Sequence, residues 1–197
     1  MKEFNRNKFL EESLTESAET KQNILKHCTG DILKAADMIK ESYKNGGKVM
    51  FCGNGGSAAD CQHLATELMI RLCHDVTRPA LGSIALTTDS SNLTAGANDI
   101  GYENVFARNV EGIGKKGDVL VGISTSGNSK NVIKAFQKAK DMGIYRIAFL
   151  GGTGGLMKNE ADLTIIIPSS NTQRIQEGHI TIGHIICEIV ERELYPC

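Results

Sequence analysis

The sequence predicts a doubly wound α/β domain: a five-stranded parallel sheet of the flavodoxin-like kind with helices on both faces. Three observations carry that prediction. Short, almost continuously apolar segments recur along the chain, separated by segments of helical periodicity. This is the pattern of parallel strands buried on both faces and joined by crossover helices. The 197 residues suit one domain and are few for two. Two strand-to-helix junctions are rich in Gly, Ser and Thr, as expected where a ligand sits beyond the C-terminal strand ends.

Taken in order, about Asn7 to Asn45 reads as two helices. Leu10, Leu14, Ala18 and Leu25 mark one apolar stripe; Ile32, Leu33, Ala36 and Ile39 mark the next. Thr29-Gly30-Asp31 supplies a stop and a new cap between them. Residues 1–46 are therefore expected as a helical hairpin that packs on the sheet and contacts other subunits. Gly46-Gly47 ends the second helix. Strands follow at Lys48–Cys52, Ser83–Thr87, Asp118–Ser124, Tyr145–Leu150 and Leu163–Ile167, the last stopped by Pro168. Helices fill the gaps at roughly Ser57–Arg71, Ser91–Ala97, Val105–Val110, Asn128–Met142 and Ile175–Leu194. No repeat or low-complexity tract interrupts them, so 1–197 reads as a single domain.

Hydrophobic residues make up 41% of the chain, enough for a globular core, and the net charge is -1. That balance argues against nucleic acid or an anionic membrane as a partner. No run is long enough to span a bilayer, and Met1-Lys2-Glu3-Phe4-Asn5-Arg6 is too charged for a signal peptide. Cys28, Cys52, Cys61, Cys73, Cys187 and Cys197 form no C-x-x-C pair. They are expected as reduced thiols of a cytoplasmic protein, mostly packed in the interior.

Chemistry concentrates at three places. Cys52-Gly53-Asn54-Gly55-Gly56-Ser57 lies between a strand and a helix, where backbone can approach a ligand closely at a helix N-terminus. It is neither G-x-G-x-x-G nor a P-loop. On the helix that follows, His63 and Glu67 share a face; metal ligands, an acid/base pair and a solvated pair all fit that spacing. The third strand runs into Ser124-Thr125-Ser126-Gly127-Asn128-Ser129. Four hydroxyls and free N–H groups at a helix start suit a phosphate better than simple capping requires. In the last helix, His184 lies in an apolar run opened by Arg174-Ile175-Gln176-Glu177.

These three motifs, in this order, resemble the sugar isomerase (SIS) domain family over nearly the whole chain. The resemblance implies an aldose–ketose isomerase interconverting sedoheptulose 7-phosphate and D-glycero-D-manno-heptose 7-phosphate, at the head of the ADP/GDP-heptose and lipopolysaccharide core route. It places the catalytic pair on Glu67 and His184. Substrate contacts fall on Asn54, Gly55, Gly56, Glu67, Asn98, Asp99 and Gln176, with the phosphate cradle on Ser124, Thr125, Ser126 and Ser129. Zinc ligands fall on His63, Glu67, Gln176 and His184. The resemblance also implies a homotetramer with active sites at subunit interfaces, and a phosphorylated seven-carbon sugar as ligand. The chain departs from it at Asn171-Thr172-Gln173, where some members carry an acidic residue before Arg-Ile-Gln-Glu.

The residues suit this chemistry independently. Moving a proton between C1 and C2 through an enediol needs a base, and managing the two oxygens needs an acid. A zinc ion would polarise the carbonyl, although a Glu bound to zinc is a weaker base. Gln176 and His184 are eight residues apart, roughly 12 Å along a helix. They meet at one metal only if long side chains converge or Gln176 lies outside the regular helix. Two alternatives compete: a non-catalytic SIS relative of the replication-initiator-associating type, which lacks the Glu and His matched here, and another phosphosugar isomerase such as an arabinose 5-phosphate isomerase. His27, His74 and His179 read as surface or packing residues, Arg71 as a solvated helix end or a phosphate contact, and Gly151-Gly152-Thr153-Gly154-Gly155 as a flexible turn.

Overall fold

The structure is a computed structural model that describes residues 4–196. The expectations on Met1–Glu3 and Cys197 lie outside the described residues. Five parallel strands, β1 (Val49–Gly53), β2 (Ser83–Ala85), β3 (Val119–Ser124), β4 (Tyr145–Gly151) and β5 (Leu163–Ile167), stand in the order β2-β1-β3-β4-β5. Helices α1 (Arg6–Lys44), α2 (Gly56–Met69), α3 (Ser90–Ile100), α4 (Val105–Ile113), α5 (Lys130–Asp141) and α6 (Thr172–Leu194) alternate with them or flank them.

Alternation along each strand divides the core in two. Val49 and Phe51, Val121 and Ile123, Ile147 and Phe149, and Ile165 and Ile167 face one side, with buried residues of α1, α2 and α6. Met50 and Cys52, Leu120, and Ala148 and Leu150 face the other, with α4 and α5. The near-continuous apolar strands thus serve two cores, as a parallel sheet covered on both faces requires. All five described cysteines are buried. Four of them, Cys28, Cys52, Cys61 and Cys187, sit in these two clusters as packing residues.

The expected N-terminal hairpin is instead one helix of 39 residues, α1. Its buried positions, Ile24, Cys28, Ile32, Ala35, Ala36 and Ile39, keep one phase straight through Thr29-Gly30-Asp31. Thr29 turns its Oγ1 back to the Leu25 carbonyl at 2.6 Å instead of capping a new helix. A mid-helix glycine costs only about 1 kcal/mol, which continuous burial on β5 and α6 outweighs. Leu10, Leu14 and Leu25, read as one apolar stripe, are 63–73% exposed and do not pack on the sheet. Smaller corrections concern ends: β2 stops at Ala85, α2 at Met69, and α6 starts at Thr172, capped by Asn171.

His179 is a core residue, with no exposed surface, and its Nε2 lies 3.0 Å from the Leu150 carbonyl oxygen. Burial pushes its imidazole down to about 4, partly offset by that hydrogen bond. The folded protein therefore holds this ring neutral while the unfolded chain takes up a proton near pH 6.5. Stability from this group is complete above that pH and is lost as pH falls from 6.5 towards 4, by up to roughly 3 kcal/mol. Urea unfolding at pH 7.5 and pH 5 should show the loss in the wild type and a smaller one in His179→Gln, which keeps an N–H donor but does not titrate. Equal losses in both would remove His179 as a cause.

Candidate active site

The strand order reverses between β1 and β3, the position where doubly wound sheets open a crevice beyond their strand ends. Both glycine-rich junctions emerge there. Gly55, at φ 56°, and Gly56 carry the chain from β1 into α2. Ser124 to Ser129 carry it from β3 into α5. The two are locked together by an amide pair: Asn54 Nδ2 donates to Asn131 Oδ1 at 3.0 Å, and Asn131 Nδ2 donates to Asn54 Oδ1 at 2.8 Å. Tyr102 donates its hydroxyl to the same Asn54 oxygen at 3.0 Å. Sequence reading missed both partners. Asn131 is buried inside α5 beyond the motif, and Tyr102 follows α3 in a short 3-10 turn.

The hydroxyl-rich loop folds on itself. The Ser124 and Ser129 Oγ atoms are 3.0 Å apart, and Ser124 Oγ also accepts from Gly127 N. Ser126 Oγ accepts from Asn128 N. Ser129 is the N-cap of α5, yet its hydroxyl makes no bond to the helix N–H groups. The first turn of α5 thus keeps donors for an anion, aided by the helix dipole. Gly151–Gly155, expected to be only a flexible turn, packs on this loop. Gly127, at φ 66°, leaves no room for a Cβ against the Gly154 carbonyl. Thr125 and Ser126 share a cavity of about 280 Å³ with Gly151, Gly152, Thr153 and Thr172.

The titratable cluster lies elsewhere, on the outer side of α2 and α6. These helices run side by side in the same direction, because Gly56 meets Gln176, Leu64 meets Gly183, and Glu191 meets the chain just after α2. A Cβ on Gly183 would stand 2.6 Å from Leu64 Cδ1, so any larger residue there would have to displace the Leu64 side chain. The approach brings His63 Nε2 within 2.7 Å of His184 Nε2, with the rings edge to face at 75°. Glu67 Oε1 is 3.2 Å from His63 Nε2. One turn earlier, burial pushes the Asp60 carboxyl up to about 6 against the pull of His63, and its Oδ2 has no hydrogen-bond partner.

His63, Glu67 and His184 offer ligand atoms within 4.8 Å of one another and could hold a metal ion. Tetrahedral zinc ligands stand about 3.3 Å apart, given bonds of about 2.0–2.1 Å, so the two imidazoles need to open slightly. The donor set is otherwise the right chemistry for zinc. Gln176 lies within α6, about two turns before His184, with its amide against Gly56. Asn98 and Asp99 sit exposed at the end of α3, bonded to each other at 2.7 Å. Gln173 is also exposed, and Asn171 is spent on capping α6. His27, His74 and Arg71 are exposed and stand outside the cluster.

Comparison with known proteins identifies the family and the fold. The SIS domain family model matches residues 14–151. A protein of Pelodictyon phaeoclathratiforme named phosphoheptose isomerase is 55% identical over 182 residues, covering 92% of this chain and 86% of the relative. A solved phosphoheptose isomerase from Neisseria gonorrhoeae is 39% identical and superposes with a TM-score of 0.88 over 94% of this chain and 98% of its own. One from Francisella tularensis is 33% identical, with a TM-score of 0.92 over 96% of this chain and 100% of its own.

The loop geometry predicts that Ser126→Ala and Ser129→Ala weaken binding of a sugar phosphate. Each lost hydrogen bond to a charged group costs roughly 1.5–3 kcal/mol, about ten- to a hundredfold in Kd by calorimetry. Unchanged affinity in both variants would place the anion elsewhere.

Proposed function

This chain belongs to the SIS domain family, and within it we propose an aldose–ketose isomerase that converts sedoheptulose 7-phosphate to D-glycero-D-manno-heptose 7-phosphate. The observation that carries the reading is the Glu67–His63–His184 cluster, present in the same fold as an anion cradle. Non-catalytic relatives lack the matched Glu and His; this chain keeps both. The reaction is an internal redox exchange, with no atom gained or lost. The Glu67 carboxylate takes a proton from C1 of the ketose. Electrons shift to give the enediol, and the proton returns at C2. His184 moves the oxygen-bound proton from O1 to O2, so that C1 becomes the aldehyde. Ser124, Thr125, Ser126 and Ser129 hold the phosphate. Asn54, Gly55, Gly56, Asn98, Asp99 and Gln176 are the proposed contacts to the sugar chain.

A zinc ion is the proposed cofactor; His63, Glu67 and His184 would hold it, with Gln176 as the fourth proposed ligand. When bound it would polarise the sugar carbonyl. The Gln176 amide also lies against Gly56, where the sugar chain is proposed to pass.

The proposed assembly is a homotetramer whose sites combine subunits. Glu67 lies eleven residues into α2 after Gly56, about 16 Å along the helix, and α2 and α5 cover opposite faces of the sheet. Six carbon–carbon bonds of about 1.5 Å reach roughly 9 Å at most. A cradle and an acid/base pair from different chains would remove that mismatch. The exposed leucines of α1 and an α3 without a single buried residue offer surface for it. The expected location is the cytoplasm, where phosphorylated sugars are made. No helix among the described residues is long and apolar enough to cross a membrane.

The test is an NMR progress curve with sedoheptulose 7-phosphate. The wild type should form the aldose, while folded Glu67→Gln and His184→Ala should turn over about two to four orders of magnitude more slowly. Protein stripped with EDTA should lose activity and regain it with zinc, and light scattering should give the mass of four chains. A wild type that forms no aldose would end the reading.

A further inference from the structure

We infer that Arg78 and Glu191 are positioning residues for the acid/base pair, a buried ion pair that fixes where α2, carrying Glu67, lies against α6, carrying His184. This rests on the assignment of Glu67 and His184 made above. Arg78 belongs to the loop after α2, and its guanidinium reaches three ways. Its Nε donates to Glu191 Oε1 at 2.7 Å, one terminal nitrogen donates to the Glu67 carbonyl oxygen at 2.9 Å, and the other donates to the Pro79 carbonyl at 3.0 Å. Glu191 takes two more donors, the backbone N–H groups of Cys73 at 2.7 Å and Leu72 at 3.3 Å. Both side chains of the pair are 1% exposed. Burial would push the Glu191 carboxyl up, but the Cys73 donors and the Arg78 guanidinium outweigh it and hold it below the usual range.

The placement of these bonds is what gives them a role. The Glu67 carbonyl is one of the last four of α2, which have no partner inside a helix. Arg78 satisfies it, so the residue that carries the base is also the one its backbone anchors. Glu191 stands seven residues after His184, two turns along the same side of α6. A continuous path therefore runs from the Glu67 backbone through Arg78 and Glu191 to the helix that carries His184, at a point two turns beyond it. A buried pair gains little net stability over apolar packing of the same volume. What its directed bonds add is a fixed spacing, and a shift of about 1 Å in such a spacing can cost on the order of a hundredfold in rate.

The experiment compares kcat and KM for sedoheptulose 7-phosphate in wild type, Arg78→Lys, Glu191→Gln and the double variant Arg78→Met/Glu191→Gln, with Glu67→Gln as reference. Arg78→Lys keeps a charge opposite Glu191 but loses the fork that also holds the Glu67 carbonyl. The double variant is neutral on both sides and keeps an acceptor for Cys73 N, so it guards against a single variant that fails to fold. The inference expects kcat down at least about tenfold with KM within about twofold, on protein whose circular dichroism and mass match wild type. Arg192→Ala, on the exposed pair with Asp75 and Glu188 of the same region, should leave both constants unchanged. A lower Tm with kcat per folded chain within twofold of wild type would mean a purely structural pair and overturn the inference. A change confined to KM would overturn it as well. Wild type inactive on the sugar defeats the proposed function; wild type active, Glu67→Gln inactive and the pair variants normal defeats this inference alone.

Discussion

The chemistry of this molecule depends on one close approach, between Leu64 of α2 and Gly183 of α6. Leu64 is 1% exposed, and burying such a side chain is worth roughly 1.5–3 kcal/mol. With no Cβ at position 183, Leu64 packs directly on the backbone of α6 where the two helices run side by side. Their parallel course fixes three contacts in sequence order: Gly56 with Gln176, His63 with His184, and the end of α2 with Glu191. The upper contact serves the loop beyond β1, the middle one is the titratable cluster, and the lower one is the ion pair with Arg78. Any added bulk at the notch would reach all three.

The proposed anion cradle obeys a different constraint. It lies at the reversal of strand order, where loops from β1 and β3 meet with no strand between them. The Asn54–Asn131 amide pair closes that gap and joins two loops that are far apart in sequence. Glycines at 127 and 155, both at positive φ, then let the β3 and β4 loops stack backbone on backbone. Binding through helix N–H groups and hydroxyls needs no central cation, which fits a chain of net charge -1.

Much of this was legible in the residues. All five strands, the two-sided burial and the Gly- and Ser-rich junctions follow from periodicity and turn chemistry, which are local. His63 and Glu67 could be paired from their spacing alone. The errors arise where tertiary packing decides. Gly30 looks like a helix stop by propensity, but a buried face in constant phase carries α1 through it. Leu10, Leu14 and Leu25 form an apolar stripe that fits the sheet or another subunit equally well, and only the sheet's position shows that they point away from it. Gln176 is grouped with the metal ligands by resemblance alone, since no local pattern links it to a residue two turns away. Asn131, Tyr102, Arg78 and Glu191 carry no motif, since each acts through a partner 48 to 113 positions distant.

At the centre of this account is proton transfer by side chains at the α2–α6 cluster. His63 is about half exposed there and Glu67 keeps some exposed surface, so the proton taken from C1 exchanges with water while the enediol is held. Conversion of sedoheptulose 7-phosphate in D₂O, read by NMR at C2 of the aldose, tests it most directly. The account predicts deuterium at C2 in the product. Aldose formed over many turnovers with only protium at C2, as a direct hydride shift would give, would contradict it.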